Sequence, residues 1–413
     1  MTATLALARQ EWRAGFKLPV AAALGYATSV IHIYGLGAYI RPISETFGWS
    51  VTQTTAGLTI ATLIQAVFGI PIGILVDKVG PRLLGVIGII TTLSAFALLG
   101  TATGTVANWY LLWIVMACAT LPVQATIWTS AVASRFEASR GLAFAVTLCG
   151  ASVAAALFPY LGTRLIGAYG WQNAFAIQAA IWALIAFPII LFFFRSSRDL
   201  QNKNVAMPVA VEKVLEGTSL IEGLRSTVYL RLLVASLLFT FTIIALVVHF
   251  VPILQTSGIP VTQAAEIAAL IGLFSIAGRL CTGLLLDRFR ASLVGAAVFL
   301  LPVVGCLFLI TQGQTTGSAM LAASLIGLTL GAEIDVIVYL TTKHFGLRSF
   351  GALYGGLLAA LSVGTATGPL GAAWVVDRFG SYTNFLWLTV AFMVASSLAL
   401  LSLPRPAFNP TKD

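Results

Sequence analysis

The sequence predicts an all-α polytopic membrane protein, built as twelve transmembrane helices in two pseudo-symmetric six-helix bundles. Three observations predict it. Of 413 residues, 59% are hydrophobic and 9% are charged, with a mean hydropathy of +0.96; a soluble domain carries roughly 25% charge. Runs such as Val86–Leu99 and Ala176–Phe194 approach or reach the length of about 20 residues that a helix needs to cross a bilayer. The chain also repeats itself at a constant offset of 210 residues.

Cutting at charged, Pro and Gly clusters places the spans at 18–40, 51–76, 82–103, 107–133, 141–167 and 172–194, then at 228–255, 262–286, 291–312, 316–343, 350–376 and 382–404. The polar stretch 195–227 divides an N-terminal bundle, 1–194, from a C-terminal bundle, 228–413. At the 210-residue offset Pro42 falls on Pro252, Gly48 on Gly258, and the tripeptide VTQ at Val51–Gln53 on its copy at Val261–Gln263. Gly73 falls on Gly283, Asp77 on Asp287, Lys78 on Arg288, Gly141 on Gly351, Pro159 on Pro369, Gly170 on Gly380 and Phe175 on Phe385. A register held without a gap across five helices indicates duplication into two similarly oriented bundles.

Orientation follows from the basic residues. With the N-terminus, alternate turns, the linker and the C-terminus on one side, that side collects 19 of the 23 Lys and Arg; Arg41, Arg164, Arg279 and Arg378 remain. Both termini are therefore expected in the cytoplasm. The net charge of +9 is accounted for by these loops and calls for no nucleic-acid partner. Cys118, Cys149, Cys281 and Cys306 all lie in apolar segments and read as packing residues rather than disulfide halves. No Cys/His spacing suits a metal, and no nucleophile–base pair suits an enzyme; no cofactor is expected. The N-terminal MTATLALARQEWRAGFKLPV reads as a lead-in to the first span, not a signal peptide.

The turn between spans two and three, GILVDKVGPRLLG, sets Gly73, Asp77, Lys78, Gly80 and Arg82 in fixed spacing. Glycine lets helices approach closely, and the charges form a cluster at the cytoplasmic helix ends able to latch the two halves in one state. The turn resembles the signature loop of the major facilitator superfamily, and its copy, GLLLDRFR with Gly283, Asp287 and Arg288, stands where the duplication places it. AYGWQNAF (168–175), RFGSYTNF (378–385), IYGLGAYIRPISETFGWS (33–50) and GAEIDVIVYLTTKHFGLRSFGALYG (331–355) look like segments of its monocarboxylate and oxalate:formate group, bacterial members included. That resemblance implies a carrier in a bacterial inner membrane, acting as a monomer, whose partners are a small carboxylate, protons and membrane lipid. It also implies that an eighth-span arginine, here Arg279, binds the substrate carboxylate. Animal monocarboxylate carriers pair an aspartate with that arginine, four positions earlier, where this chain has Ser275; their first-span lysine is absent, with Gly37 near its place. Their proton relay therefore does not transfer intact.

The residues inside the spans carry the chemistry. Arg279 lies eight residues before Asp287, about 12 Å along a helix. An ionisable group at that depth marks a substrate or ion path more often than not, and a guanidinium fork suits a carboxylate. The alternatives are snorkelling and a structural pair with Glu333 or Asp335. Its counterpart in the first half is Gly69, so the charge is not part of the shared scaffold. Glu333 and Asp335 are the only acids well inside a span; two apart, they sit roughly 200° around a helix and cannot face one cavity together. Either suits proton coupling, and either suits a fixed pair with Arg279. His32 and His249 are the intramembrane histidines, and titration in the useful range makes them candidates, against the common alternative of a satisfied core histidine. His249 maps to Tyr39, seven residues after His32 on the same helical face. With Tyr34, which the resemblance to the oxalate:formate group implies is a cavity aromatic, and with Gln124 and Trp128 one turn apart on span four, these complete the expected substrate set, Trp128 being equally suited to core packing. The function expected is proton-coupled symport of small organic anions by alternating access; carboxylate exchange and drug or metabolite efflux are the alternatives within transport.

Overall fold

In a computed structural model the described residues are 2–201, 216–256, 258–311, 315–406 and 408. Much of the linker expected at 195–227, residues 202–215, lies outside them. Helix makes up 88% of the structure. The described residues fall into two compact units, Met1–Gly217 with Leu347–Gly356, and Thr218–Gly346 with Leu357–Asp413.

The first unit begins with α1 (Thr2–Gly15), α2 (Lys17–Ser29) and α3 (Ile31–Phe47). The last two together make the first span, Lys17–Phe47, with a step out of helical geometry at Val30, φ −109° and ψ 10°. Ser29 Oγ donates back to Tyr26 and Val30 N to Ala27, the i→i−3 tightening that closes a helix end. Helices α4 (Val51–Val79) and α5 (Pro81–Leu98) follow. A capping box of Ser50 and Gln53 starts α4. Gly80, at φ 92°, ends it in a conformation that a side chain would strain, and Pro81 opens α5 at a position where no N–H is needed.

The fourth span is broken. Helix α6 (Val106–Thr120) gives way to a 3₁₀ turn at Leu121–Val123 and resumes as α7 (Ala125–Ala133). Pro122 cannot donate within the ladder, and side chains occupy the freed carbonyls: Thr91 and Thr92 donate to Ala119, and the Trp128 indole to Val123. Backbone at membrane depth has to be satisfied in this way. Helix α8 (Arg140–Phe193) runs through both the fifth and sixth expected spans, leaving helical geometry at Gly170, φ 75° and ψ 159°. Eleven helical runs among the described residues are long and apolar enough to cross a membrane, and the break at Gly170 makes twelve spans of them. The short α9 (Ser197–Gln201) closes this part.

The second unit holds α10 (Leu220–Arg225), α11 (Thr227–Gln255), α12 (Val261–Arg288), α13 (Ala291–Thr311), α14 (Thr316–Phe345), most of α15 (Phe350–Phe379), and α16 (Tyr382–Leu401). Hydroxyl caps start several of them: Ser226 for α11, Thr315 for α14 and Ser381 for α16. Large apolar side chains stand outward on the spans, Leu184 at 79% exposure and Leu370 at 72%, as an apolar solvent allows and water does not. The four cysteines are free thiols.

Helix α1, expected as a simple lead-in, is tied down. The Glu11 carboxylate accepts from the N–H groups of Glu137, Ala138 and Ser139 and from the Ser139 hydroxyl, at 2.8–3.0 Å. Trp12 meets Phe136 edge to face beside it.

Candidate functional site

In the second unit, α12 and α14 touch backbone to backbone. A Cβ on Gly331 would lie 1.8 Å from the Ser275 carbonyl oxygen, and one on Gly278 2.1 Å from that of Leu328. Small residues let spans approach this closely, and the approach brings Arg279 to its partner. Arg279 Nη1 donates to Asp335 Oδ2 at 3.1 Å, with side-chain exposures of 8% and 0%. Asp335 Oδ1 is buried and has no hydrogen-bond partner among the described residues. Glu333, two residues earlier and on another face, turns to α11 and lies 2.6 Å from Thr240 Oγ1. The two acids are thus divided between two helices, and Asp335 is the acid that holds Arg279 in this structure. Ser275 bonds back to the Gly272 carbonyl at 2.8 Å.

His249 sits elsewhere in this unit. Its Nε2 is 3.1 Å from the Pro369 carbonyl oxygen and its Nδ1 3.1 Å from the Tyr382 hydroxyl. A carbonyl only accepts, so Nε2 carries the hydrogen. The histidine ties three helices, α11, α15 and α16.

In the first unit a polar cluster forms around His32, which is 1% exposed. Gln65 Nε2 donates to Thr120 Oγ1 at 2.9 Å and lies 3.5 Å from His32 Nε2, with Trp113 edge-on to the His32 ring. His32 Nδ1, Trp113 Nε1 and Gln124 Nε2 are buried without a hydrogen-bond partner among the described residues. Gln124 follows the Pro122 turn in extended geometry. Tyr34 is 37% exposed. Tyr39 and Trp128 go into packing. Tyr39 donates to Gln178 Oε1 at 2.7 Å and stacks on Phe175, ring centroids 3.8 Å apart, rather than meeting His32. Trp128 is fully buried against Phe194, and a Cβ on Gly25 would fall 2.3 Å from its ring.

At the turn between the second and third spans, Asp77 accepts from the backbone N–H groups of Gly351 and Ala352 at 2.9 and 3.1 Å, within the first unit. A carboxylate there meets the positive end of α15. A Cβ on Gly73 would lie 2.0 Å from the Gly351 oxygen, so only glycine fits. Arg82 donates to the Leu191 carbonyl at 3.2 Å, while Lys78 and Arg288 stand at the solvent side. In the second copy Gly283 is buried, Asp287 half-buried, and Arg290 donates to the Leu403 carbonyl.

Sequence reasoning passed over the partners. Thr240, Gln65, Gln178 and Tyr382 each lie within hydrogen-bond distance of a predicted residue, and Thr120 holds Gln65. Gln65 and Gln178 had a signal, since each is an amide flanked on both sides by apolar residues inside a span. Thr240 had none, being one hydroxyl among many.

The family model of the Major Facilitator Superfamily matches residues 22–355. Monocarboxylate transporter 13 of Rattus norvegicus is 27% identical over 82% of this chain and 77% of its own length. A putative tartrate transporter of Agrobacterium vitis is 23% identical over 92% of each chain. Two other curated relatives are matched in part only, the chain spanning 56% of one and 29% of the other. The crystal structure of the fucose:proton symporter FucP of E. coli superposes with a TM-score of 0.69 over 93% of this chain and 97% of that one; at 15% identity the likeness is one of fold.

Proposed function

The chain belongs to the major facilitator superfamily, an integral membrane transporter and not an enzyme, and from that premise we propose that it carries small organic anions of the monocarboxylate type, coupled to protons, by alternating access. The observation that carries this reading is the buried ion pair of Arg279 and Asp335. An arginine taken out of water is costly without a partner, and a substrate carboxylate offers the same two oxygens as Asp335. The substrate would share the guanidinium with Asp335, and the negative charge it adds at that depth would be offset by a proton taken up with it. Names among the relatives, monocarboxylate transporter and putative tartrate transporter, point to the same chemical class. The bond from Asp77 to Gly351 and Ala352 is proposed as the contact made and broken as access alternates. The setting proposed is a bacterial inner membrane, with the protein working as a monomer.

A thermal-shift screen of purified protein against mono- and dicarboxylates tests the site. Stabilisation that disappears in Arg279→Ala is the expected result; stabilisation that survives the substitution removes Arg279 as the ligand. Carboxylate exchange without a proton is the second reading, favoured because one substrate anion replacing another at Arg279 changes no net charge. Counterflow without any uptake driven by a pH gradient would select it.

A further inference from the structure

Thr240 Oγ1 has one hydrogen and two claims on it. It lies 2.8 Å from the Ser236 carbonyl oxygen, one turn back on α11, and 2.6 Å from Glu333 Oε1. A peptide carbonyl can only accept. If the hydroxyl hydrogen goes to Ser236, the short contact with Glu333 joins two oxygens and needs a second hydrogen, and only the carboxyl can hold it. A single hydrogen shared between both acceptors would leave a carboxylate, on a residue 5% exposed, with a fraction of one bond at that oxygen. Burying a charge so poorly satisfied is the costlier arrangement.

The charged surroundings agree. Arg279 on α12 is engaged by Asp335 at 3.1 Å. Helices α13 and α16 contain no charged residue, and on α11 the nearest titratable groups, Arg231 and His249, are each nine residues from Thr240, about 13 Å along the helix. Among the described residues of these helices, no cation other than Arg279, which Asp335 engages, stands near enough to hold Glu333 as an anion.

We propose that Glu333 is a protonated acid whose O–H donates to Thr240, and that it is the carboxyl that releases and regains the coupled proton, while Asp335 remains the anion that holds Arg279. The assignment of the coupled proton rests on the proton-coupled reading above. In the release step the Glu333 O–H bond breaks, the proton passes to water and then to bulk solvent, and a carboxylate is left; uptake from solvent reverses it. Thr240 acts as a positioning residue, accepting from the acid in one state and donating to the carboxylate in the other.

Infrared spectroscopy of the purified protein at neutral pH decides the protonation without any substrate. Wild type should show the carbonyl stretch of a protonated carboxyl, shifting in D₂O. Glu333→Gln should lose it, Asp335→Asn should keep it, and Thr240→Val should move it to higher frequency as the hydrogen bond is lost. A wild-type spectrum without that band, a band that survives Glu333→Gln, or one unmoved by Thr240→Val would overturn the proposal. Since the amide of Gln keeps a donor toward Thr240, the variant retains the local contact. In proteoliposomes with labelled L-lactate as the probe, Glu333→Gln should lose accumulation driven by a pH gradient and retain counterflow; accumulation equal to wild type would overturn the coupling role. A wild type that shows the band yet no lactate counterflow would instead count against the monocarboxylate reading and leave the protonated acid standing.

Discussion

Arg279 and Asp335 are 56 positions apart in the chain and 3.1 Å apart in space. Removing one partner of a buried pair strands the other, at a cost of about 3–5 kcal/mol, whereas replacing both with apolar groups of similar size is often neutral. Asp335→Asn should therefore lower the melting temperature more than the double variant Arg279→Met/Asp335→Leu does, measured by scanning fluorimetry in detergent. A double variant less stable than the single would mean that the pair is not the dominant interaction of either residue. Tyr39 behaves differently. Tyr39→Phe removes the donor to Gln178 Oε1 and should cost about 1–3 kcal/mol in stability. Carboxylate-induced stabilisation should be unchanged in that variant, since the tyrosine is packed on Phe175. The repeat explains why. Tyr39 maps to His249 and Phe175 to Phe385, and His249 meets Phe385 at 6.4 Å between ring centroids. Each bundle thus has a ring contact between its first and sixth spans. His249 thus occupies, in the second bundle, the place that the packing tyrosine holds in the first.

Among the elements, the contact between α12 and α14 depends on a residue with no side chain. Gly331→Val would drive two methyl groups at the Ser275 carbonyl, part the helices and separate Arg279 from Asp335. Lower yield of folded protein and a lower melting temperature than for Gly317→Val are expected, because Gly317 has open space around it. Equal melting temperatures would show that the helices can part without loss. At the other end of the chain, Glu11 holds α1 by four acceptor contacts. Hydrogen exchange should speed up over residues 2–15 in Glu11→Ala and hardly change in α5; protection equal to wild type would mean that Trp12 on Phe136 suffices. Asp77→Asn retains an acceptor for one of the two N–H groups and loses the charge facing α15, a loss of about 1 kcal/mol. Exchange at Gly351 and Ala352 should rise accordingly.

For the whole molecule, the distribution of Lys and Arg predicts both termini in the cytoplasm. Single cysteines introduced at Ala407 and at Gly258 into a cysteine-free background should react with an impermeant maleimide from opposite sides of inverted membrane vesicles; labelling from the same side would overturn the topology. The number of spans, their boundaries to within several residues, the 210-residue repeat and the turn from Gly73 to Arg82 were all legible in the sequence. Each is set by composition, by period or by a fixed local spacing, and a bilayer narrows the choice by forcing every buried backbone group into a helix. The pairing of side chains was not legible. Glu333 and Asp335 are two residues apart with the same chemistry, and nothing local says which of them meets Arg279. The close approach of α12 and α14 at Gly331 decided it, leaving Glu333 to Thr240. The sequence alone determined that an arginine and two acids are held inside the membrane. Which acid neutralises the arginine, and which holds a hydroxyl, was decided by helix packing, because a carboxyl's partner is set by the neighbours within about 3 Å and those come from distant parts of the chain.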